Sequence, residues 1–324
     1  MTPWQSATNP AGTQALQIAN LFWVFLWLLT GVFVVVLLWA LWALSRRHRG
    51  IEQEPLEHTH APGAATEHSL TKVTSIATAV TVMILFGLLI ASVVTGKSLE
   101  EIGNKKNAIA IEVQGNQWWW FVRYLDQDAS RVLVTANEFH IPVGRPVMIR
   151  ETSNDVIHSF WVPNLHGKRD LIPGRVNTLW IQADRPGRYR GQCAEFCGMQ
   201  HAHMAMWIVA EPEAQFQQWL SHQLDPAPPP ADPELARGQQ VFLNSACVLR
   251  HTIRGTPASG MTAPDLTHLA SRMTIAAGTL PNNKGNLGGW INDPQNIKPG
   301  NHMATVTLAA EDVQPLLDYL ESLK

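Results

Sequence analysis

Two cysteines, a histidine and a methionine lie close together in one short stretch of the chain. Cys193 and Cys197 are four residues apart, His201 follows four residues later, and Met204 comes three residues after that. Thiolate, imidazole and thioether are soft ligands, and this set favours copper. Zinc normally takes four tetrahedral Cys or His ligands, so a thioether adds little for it. Because paired cysteines also form disulfides in oxidising compartments, a disulfide between these two stays open as the alternative.

Short β-rich runs surround this stretch and are expected to position it. Turn signals such as Val143-Gly144 and Pro186-Gly187 separate the runs, a pattern that is typical of a β-sandwich or barrel. The ligand candidates then fall in one loop of that domain. The runs are Ile109–Val113, Val132–Val134, Val147–Glu151, Thr178–Ala183 and Met204–Val209.

The loop resembles the signature of subunit II of cytochrome c oxidases, C-x-E-x-C-G-x-x-H-x-x-M, and every position of the signature is filled. The family also has a histidine upstream, and the segment DVIHSFWVP supplies it as His158. The resemblance implies a cupredoxin fold with a two-copper centre, CuA, whose metals are bridged by Cys193 and Cys197.

The same resemblance implies the remaining ligands. One copper would be completed by His158 and Met204, and the other by His201 and the backbone carbonyl of Glu195. The Glu195 carboxylate would bind a Mg²⁺ ion shared with subunit I, whereas an unliganded carboxylate facing solvent is the alternative. His203 and Met199 occupy positions that the signature does not use, so they are expected to be packing or surface groups.

The tract from Gly115 to Phe121, GNQWWWF, resembles the aromatic segment of the same family. The resemblance implies that electrons enter at Trp118, through an exposed indole above the copper loop. Burial in a core is the ordinary fate of such an aromatic run, and we expect it for Trp120.

Two apolar stretches, Leu16–Leu44 and Val73–Thr95, are each long enough to cross a bilayer. No Lys or Arg precedes the first one, which argues against a signal peptide. We expect a hairpin of two transmembrane helices. Basic residues in short loops stay on the cytoplasmic side, so both termini and the soluble domains are predicted on the periplasmic side of a bacterial inner membrane. The basic residues are Arg46, Arg47, Arg49 and Lys72.

The proline-rich segment Asp225–Pro233 predicts a semi-rigid spacer before a further domain. The residues that follow resemble a small cytochrome c domain, with Cys247, His251 and Met303 as the candidate haem ligands. The haem attachment motif C-x-x-C-H is incomplete, because Arg250 stands at the second cysteine. A doubly attached haem c is therefore not expected, and the domain is a cytochrome with one thioether, a relic poor in haem, or a docking module.

The sequence thus predicts a multi-domain protein: a two-helix transmembrane hairpin, a cupredoxin-like β-sandwich or barrel, and a small all-α cytochrome c-like domain. The predicted boundaries are 1–98 for the N-terminal segment and anchor, 99–222 for the CuA domain, 223–233 for the linker and 234–324 for the last domain.

The resemblance also implies the function. The chain would accept electrons from cytochrome c and pass them to subunit I, which reduces oxygen to water and pumps protons. Its partners would be subunits I and III, cytochrome c and membrane lipid. A formal net charge of −2 over 324 residues gives no basic field for nucleic acid.

Two other functions use similar ligands. A copper carrier or assembly protein also clusters Cys, His and Met, but it has little use for Trp118 or a two-helix anchor. The copper domain of a nitrous-oxide reductase has the same ligand set, but that enzyme is soluble and carries a large extra domain.

Overall fold

The computed structural model describes residues 4–47, 64–101, 107–126, 128 and 131–324. These residues form two compact units. One is Gln17–Glu101, and the other combines Met1–Leu16 with Ile102–Lys324.

The first unit contains two long helices, α1 (Thr13–Arg47) and α2 (Ala64–Glu101). Both are long and apolar enough to cross a membrane, over Thr13–Arg46 and Glu67–Glu100. Their leucines, valines and tryptophans are largely exposed, as is expected of side chains that face lipid. The two predicted spans lie inside these helices. Arg46 and Arg47, which were predicted in the connecting loop, belong to the last turn of α1, and Arg49 lies outside the described residues.

Ten strands of the second unit form two five-stranded sheets. The sheet orders are β3-β2-β1-β5-β8 and β4-β10-β9-β6-β7. The β-sandwich prediction is confirmed. The strands are β1 (Ile109–Asn116), β2 (Trp119–Leu125), β3 (Leu133–Ala136), β4 (Glu138–Pro142), β5 (Val147–Ser153), β6 (His158–Trp161), β7 (Arg169–Leu171), β8 (Asn177–Ile181), β9 (Gly187–Cys193) and β10 (Ala205–Glu211).

Alternating burial along the strands creates the core of the sandwich. In β2, for example, Trp120, Val122 and Tyr124 are buried while the residues between them are half-exposed. Side chains of a strand point to opposite faces in turn, so one face of each sheet supplies the core. Helix α3 (Glu213–Leu224) covers one end through the buried Phe216.

The segment before α1 packs on the β-sandwich. Its Ala11 is buried, and the Ala11 amide donates to the Asn164 carbonyl at 2.7 Å. Trp4 contacts Trp207 edge to face, with ring centroids 5.7 Å apart. Met1–Leu16 therefore clusters with the soluble part of the chain, although the sequence assigned it to the anchor.

The last domain is mainly helical. Its helices are α4 (Pro233–Asn244), α5 (Lys284–Asn292), α6 (Pro294–Ile297) and α7 (Ala310–Ser322), and a small hairpin of β11 (Thr274–Ile275) and β12 (Leu280–Pro281) departs from the predicted all-α class. Helices α4 and α7 pack closely at Gly238. A Cβ atom there would lie only 2.0 Å from the Pro315 carbonyl oxygen, so the crossing requires glycine.

The proline-rich segment is attached to the last domain and is not a free spacer. Ala227 is buried in the core of that domain, and its amide donates to the Arg254 carbonyl at 2.9 Å. The Arg254 guanidinium also donates to the carbonyls of Gln223 and Leu224 at the end of α3. Backbone carbonyls that the prolines leave without helix or sheet partners thus gain a charged donor.

Candidate metal centre and cofactor cavity

The loop with the two cysteines connects β9 to β10. Cys193 is the last residue of β9, and its amide donates to the Met204 carbonyl at 2.9 Å, directly before β10 begins. Because these strands pair antiparallel, the two ends of the loop are fixed beside each other. Strand β6 pairs with β9 on its other side, with Phe160 opposite Cys193, and this brings His158 to the loop.

The ligand candidates converge. Their spacing was read from the sequence, and their closeness in space follows from three neighbouring strands. The Sγ atoms of Cys193 and Cys197 are 3.7 Å apart, and the ligand atoms of His158, Cys193 and Cys197 all lie within 4.8 Å of one another. The other distances to sulfur are 3.9 Å from His158 Nδ1 and 3.2 Å from the Glu195 carbonyl oxygen to Cys193, and 3.6 Å from His201 Nδ1 and 3.9 Å from Met204 Sδ to Cys197.

Both cysteines are free and buried. Their sulfurs are nearly twice as far apart as the roughly 2.05 Å of a disulfide bond. The hydrogen bond from the Cys197 thiol lowers the pKa of Cys193, and burial opposes this effect. A pair that holds a thiolate at neutral pH, with two imidazoles and a thioether beside it, fits a soft metal ion.

Asp155 orients the first histidine. Its Oδ1 atom lies 2.7 Å from His158 Nε2, which leaves Nδ1 facing the Cys193 sulfur. Burial lowers the pKa of His158, but the hydrogen bonds with Asp155 and Cys193 outweigh burial, so the pKa lies above its ordinary value. A carboxylate behind a histidine ligand is a common way to fix its tautomer. The sequence analysis missed this role, although Asp155 lies three residues before the histidine.

Trp118 is hydrogen-bonded to the loop between β9 and β10. Its Nε1 donates to the Cys197 carbonyl at 3.0 Å, and Gln117 Nε2 donates to the same oxygen at 2.7 Å. Gly198 has a positive φ of 113°, and a Cβ atom there would lie 3.0 Å from the Trp118 ring, so both the backbone and the space require glycine. Trp118 is therefore in direct contact with a cysteine that is a ligand candidate.

The expectation of an exposed indole is wrong. Trp118 is 7% exposed, because the last domain covers it. The ring of His302 lies 6.1 Å from the Trp118 ring, and Lys298 Nζ donates to the Trp118 carbonyl at 2.8 Å. Trp120 is fully buried, which confirms its prediction as core.

The remaining loop residues are at the surface. Met199 is 72% exposed, and His203 Nδ1 pairs with Gln200 Oε1 at 2.8 Å, as expected of groups outside the signature. The Glu195 carboxylate lies 3.6 Å from Lys168 Nζ, and both side chains are about half exposed, which is the geometry of a surface ion pair.

A cavity in the last domain brings together all of the residues predicted to contact haem. Cys247, Arg250, His251 and Met303 line it, and its empty volume is about 1380 Å³ with the open mouth included. The lining combines a thiol, an imidazole and a thioether, which is a donor set that suits a haem. Most of the other walls are apolar and include Phe242, Leu266, Ile275, Ile291 and Leu316.

His251 is held as an axial ligand would be. Its Nδ1 pairs with the Pro264 carbonyl at 2.7 Å, so Nε2 remains for a metal. Burial lowers the pKa of His251, which keeps the imidazole neutral and able to coordinate iron. The cavity and this histidine fit a haem. Arg250 is half-buried at the wall, where a second thioether cysteine would otherwise stand.

Comparisons with known proteins identify relatives of both soluble domains. Residues 123–211 match the family model described as Cytochrome C oxidase subunit II, periplasmic domain, and residues 235–324 match the model described as Cytochrome c. A cytochrome c oxidase subunit 2 of Alkalihalophilus pseudofirmus is 32% identical over 98% of this chain and 91% of its own length.

Two further similar proteins are also described as subunit II of a cytochrome oxidase. A cytochrome c oxidase subunit 2 of Bacillus sp. strain PS3 is 32% identical over 70% of this chain and 66% of its own length. The crystal structure of the periplasmic domain of subunit II of cytochrome oxidase from Bradyrhizobium japonicum is 30% identical, with a TM-score of 0.35, and covers 37% of this chain and 95% of that chain.

Proposed function

The chain belongs to the cytochrome c oxidase subunit 2 family, and from this premise we propose that it is the subunit through which electrons enter the oxidase. In this proposal the chain accepts electrons from cytochrome c and passes them to the haem sites of subunit I. Subunit I reduces oxygen to water, and the complex pumps protons. The observation that carries the proposal is a buried pair of cysteine sulfurs that are 3.7 Å apart and form no disulfide. Two imidazoles and a thioether surround this pair.

We assign Cys193 and Cys197 as the bridging ligands of a two-copper CuA centre. His158 and Met204 would complete one copper, and His201 with the Glu195 carbonyl the other. The bound pair supplies a one-electron carrier whose charge is shared by two metals. Strands β6, β9 and β10 hold His158, Cys193 and Met204 at or directly beside their ends, and Asp155 fixes the ring of His158. Ligands that are already in place change little when the charge at the site changes.

We further propose that Trp118 connects the loop from Cys193 to Met204, called the copper loop below, with the cofactor cavity of the last domain. Its indole N–H binds the Cys197 carbonyl, and its own carbonyl accepts from Lys298 in the cavity wall. Trp118 also lines the cavity. Because the last domain covers Trp118, a separate cytochrome would deliver its electron to that domain, and the copper loop would receive it from within.

We propose that the cavity would hold haem c through a thioether to Cys247 alone, and that His251 and Met303 would bind its iron. A haem in that position supplies a one-electron carrier with His and Met ligation. Arg250 has no thiol that adds to a vinyl group. One thioether and the two iron ligands would hold the group, which is one thioether fewer than in the usual attachment.

The surroundings of the chain complete the proposal. The two helices would span a bacterial inner membrane, with both termini and the soluble domains on the periplasmic side, and would contact lipid and subunits I and III. The Glu195 carboxylate is partly exposed, so it would be free to exchange Lys168 for a Mg²⁺ ion shared with subunit I.

The proposal is tested by absorption and electron paramagnetic resonance spectra of the purified oxidase. We expect a mixed-valence two-copper signal, two coppers bound to this subunit, and a c-type haem signal. A single labile copper would favour the alternative of a copper carrier. Zinc in place of copper, or a disulfide between Cys193 and Cys197, would contradict the assignment.

A further inference from the structure

Lys298 is a buried lysine without a carboxylate partner. It follows α6, and only 2% of its surface is exposed. Lysine is almost never fully buried unless its charge is paired. In the described part of the chain, its hydrogen-bond partners are two backbone carbonyls, that of Trp118 at 2.8 Å and that of Ala276 at 3.2 Å. These neutral oxygens do not balance the charge of the ammonium group.

The ammonium group has a donor left over. An ammonium carries three N–H bonds, and the two carbonyls accept two of them. Burial lowers the pKa of Lys298 to about 7. A buried cation that is so poorly compensated is stabilised by any anion that comes within reach of its third N–H.

The cavity beside Lys298 is suited to an anion. Among the described residues that line it, Arg250, Arg272 and Lys298 carry positive charge and none is an Asp or a Glu. Arg272 already donates to the Asp265 carbonyl and Arg250 is partly exposed, whereas Lys298 is 2% exposed and bonds only to backbone carbonyls among the described residues. Haem presents an apolar ring and two carboxylate side chains, which matches an apolar cavity with buried cations.

We propose that Lys298 binds a carboxylate side chain of the cofactor with its third N–H, while its other two N–H groups hold the carbonyls of Trp118 and Ala276. The inference rests on the proposed function, because it assumes that the cavity holds haem. Lys298 is then a positioning residue. It fixes the carboxylate edge of the cofactor against the backbone of the tryptophan that touches the copper loop.

The redox potential of the haem separates this role from that of a simple clamp between domains. A clamp needs only the two carbonyl bonds, and its loss loosens the interface. A cation paired with a haem carboxylate also favours the reduced haem, because reduction removes one positive charge from the iron. Loss of Lys298 then leaves an uncompensated carboxylate that favours the oxidised haem.

The experiment compares the purified oxidase with its Lys298→Met, Lys298→Arg and Lys284→Met variants. Lys284→Met is the matched control, because Lys284 pairs with Asp318 and Glu321 at the surface and does not line the cavity. The readouts are c-type haem per chain by pyridine haemochrome, the midpoint potential of that haem by spectroelectrochemistry, and the copper resonance spectrum.

We expect Lys298→Met to disfavour the reduced haem about tenfold, which is a fall of about 59 mV for one electron. Lys298→Arg should recover most of the potential, and Lys284→Met should match the parent. The copper spectrum should be the same in all four proteins. If Lys298→Met retains too little haem to titrate, the potential of Lys298→Arg and the haem content of both variants decide the question. Loss of haem in Lys298→Met together with recovery of haem in Lys298→Arg would support the pairing.

A haem potential that is equal in Lys298→Met and Lys284→Met would overturn the inference and leave the proposed function intact. Equal loss of haem in Lys298→Met and Lys298→Arg would also overturn the inference, because a lysine that only joins the two carbonyls explains that result. If the parent oxidase carries no c-type haem, the haem part of the proposed function fails, and this inference fails with it.

Discussion

The copper loop and the cofactor cavity lie in one compact unit, and they are built in opposite ways. In the loop, the ends of three neighbouring strands bring the ligand atoms of His158, Cys193 and Cys197 within 4.8 Å of one another. In the cavity, His251 and Met303 come from different segments of the last domain and line one open space. A metal ion needs convergent atoms, whereas a large organic cofactor needs a void with a few fixed ligands. We therefore expect the first site to depend on each of its two thiolates, and the second to tolerate the loss of a thioether.

The largest effect is expected from Cys193→Ser. A hydroxyl is a poor soft ligand, and one remaining thiolate cannot bridge two metals, so the two-copper spectrum and electron uptake should both be abolished. Met199→Leu is the control in the same loop, because Met199 is exposed and lies outside the signature. Metal analysis and turnover with cytochrome c measure the outcome. Two coppers and full turnover in Cys193→Ser would remove the basis for the comparison.

Arg250→Cys should have the next largest effect, on the cavity. It restores the second thiol of the attachment motif at a residue that already lines the cavity. We expect c-type haem to rise, with the haemochrome band moving to the position for two saturated vinyl groups. Leu249→Cys is the control, because Leu249 is 75% exposed and its thiol would face solvent. Equal haem with an unchanged band in parent and variant would show that the domain does not depend on this residue.

Trp118 joins the two regions, so its replacement tests whether they act together. Trp118→Ala should cost about 3–5 kcal/mol of stability, because the side chain is now known to be buried. Trp118→Phe keeps most of the packing and removes the N–H that binds the Cys197 carbonyl. We expect it to slow electron transfer from haem to copper, while the copper spectrum changes little. Trp180→Phe is the control for loss of an indole elsewhere in the β-sandwich, because Trp180 lies in β8 and is not among the described residues that line the cavity.

A stopped-flow measurement beside a thermal melt separates the two contributions. Slower transfer in Trp118→Phe without a lower melting temperature supports a route through this residue. A lower melting temperature at an unchanged rate would make Trp118 a packing residue and leave the two regions without that link.

Met204→Leu should have the smallest effect. A thioether is a weak ligand that mainly tunes the potential of a copper site, and leucine fills a similar volume in this fully buried position. We expect both coppers to remain while the potential changes. Loss of copper equal to that of Cys193→Ser would show that all ligands of the loop are equally indispensable.

The sequence was most informative where chemistry and spacing coincide. The cysteine spacing indicated the ligand loop, and the apolar runs at Ile109, Val147 and Met204 led to β1, β5 and β10. Strand β9 was missed because Arg188 and Arg190 flank Tyr189 and leave no apolar run, and β2 was missed because its aromatic tract was interpreted only as core. Their pairing with neighbours, which no single stretch encodes, makes them strands.

The burial of Trp118 was beyond the reach of sequence analysis for a different reason. The group that accounts for it, Lys298, is 180 positions further along the chain. Local patterns report which residues can be buried, and they do not report which distant segment covers them. The same applies to the proline-rich segment, where Arg254 converts an apparent spacer into part of the last domain.

The contacts of the segment before α1 have a consequence for biosynthesis. The Thr13 hydroxyl donates to Asp184 at 2.8 Å, across 171 positions of sequence, and the Ala11 amide finds its acceptor at Asn164. A ribosome makes these partners long after it has made the segment itself. The segment can therefore complete these contacts only after the β-sandwich has been made and folded. Closing a loop of this length comes late in folding, so changes around Ala11 should weaken the finished protein and change the folding rate of the β-sandwich little.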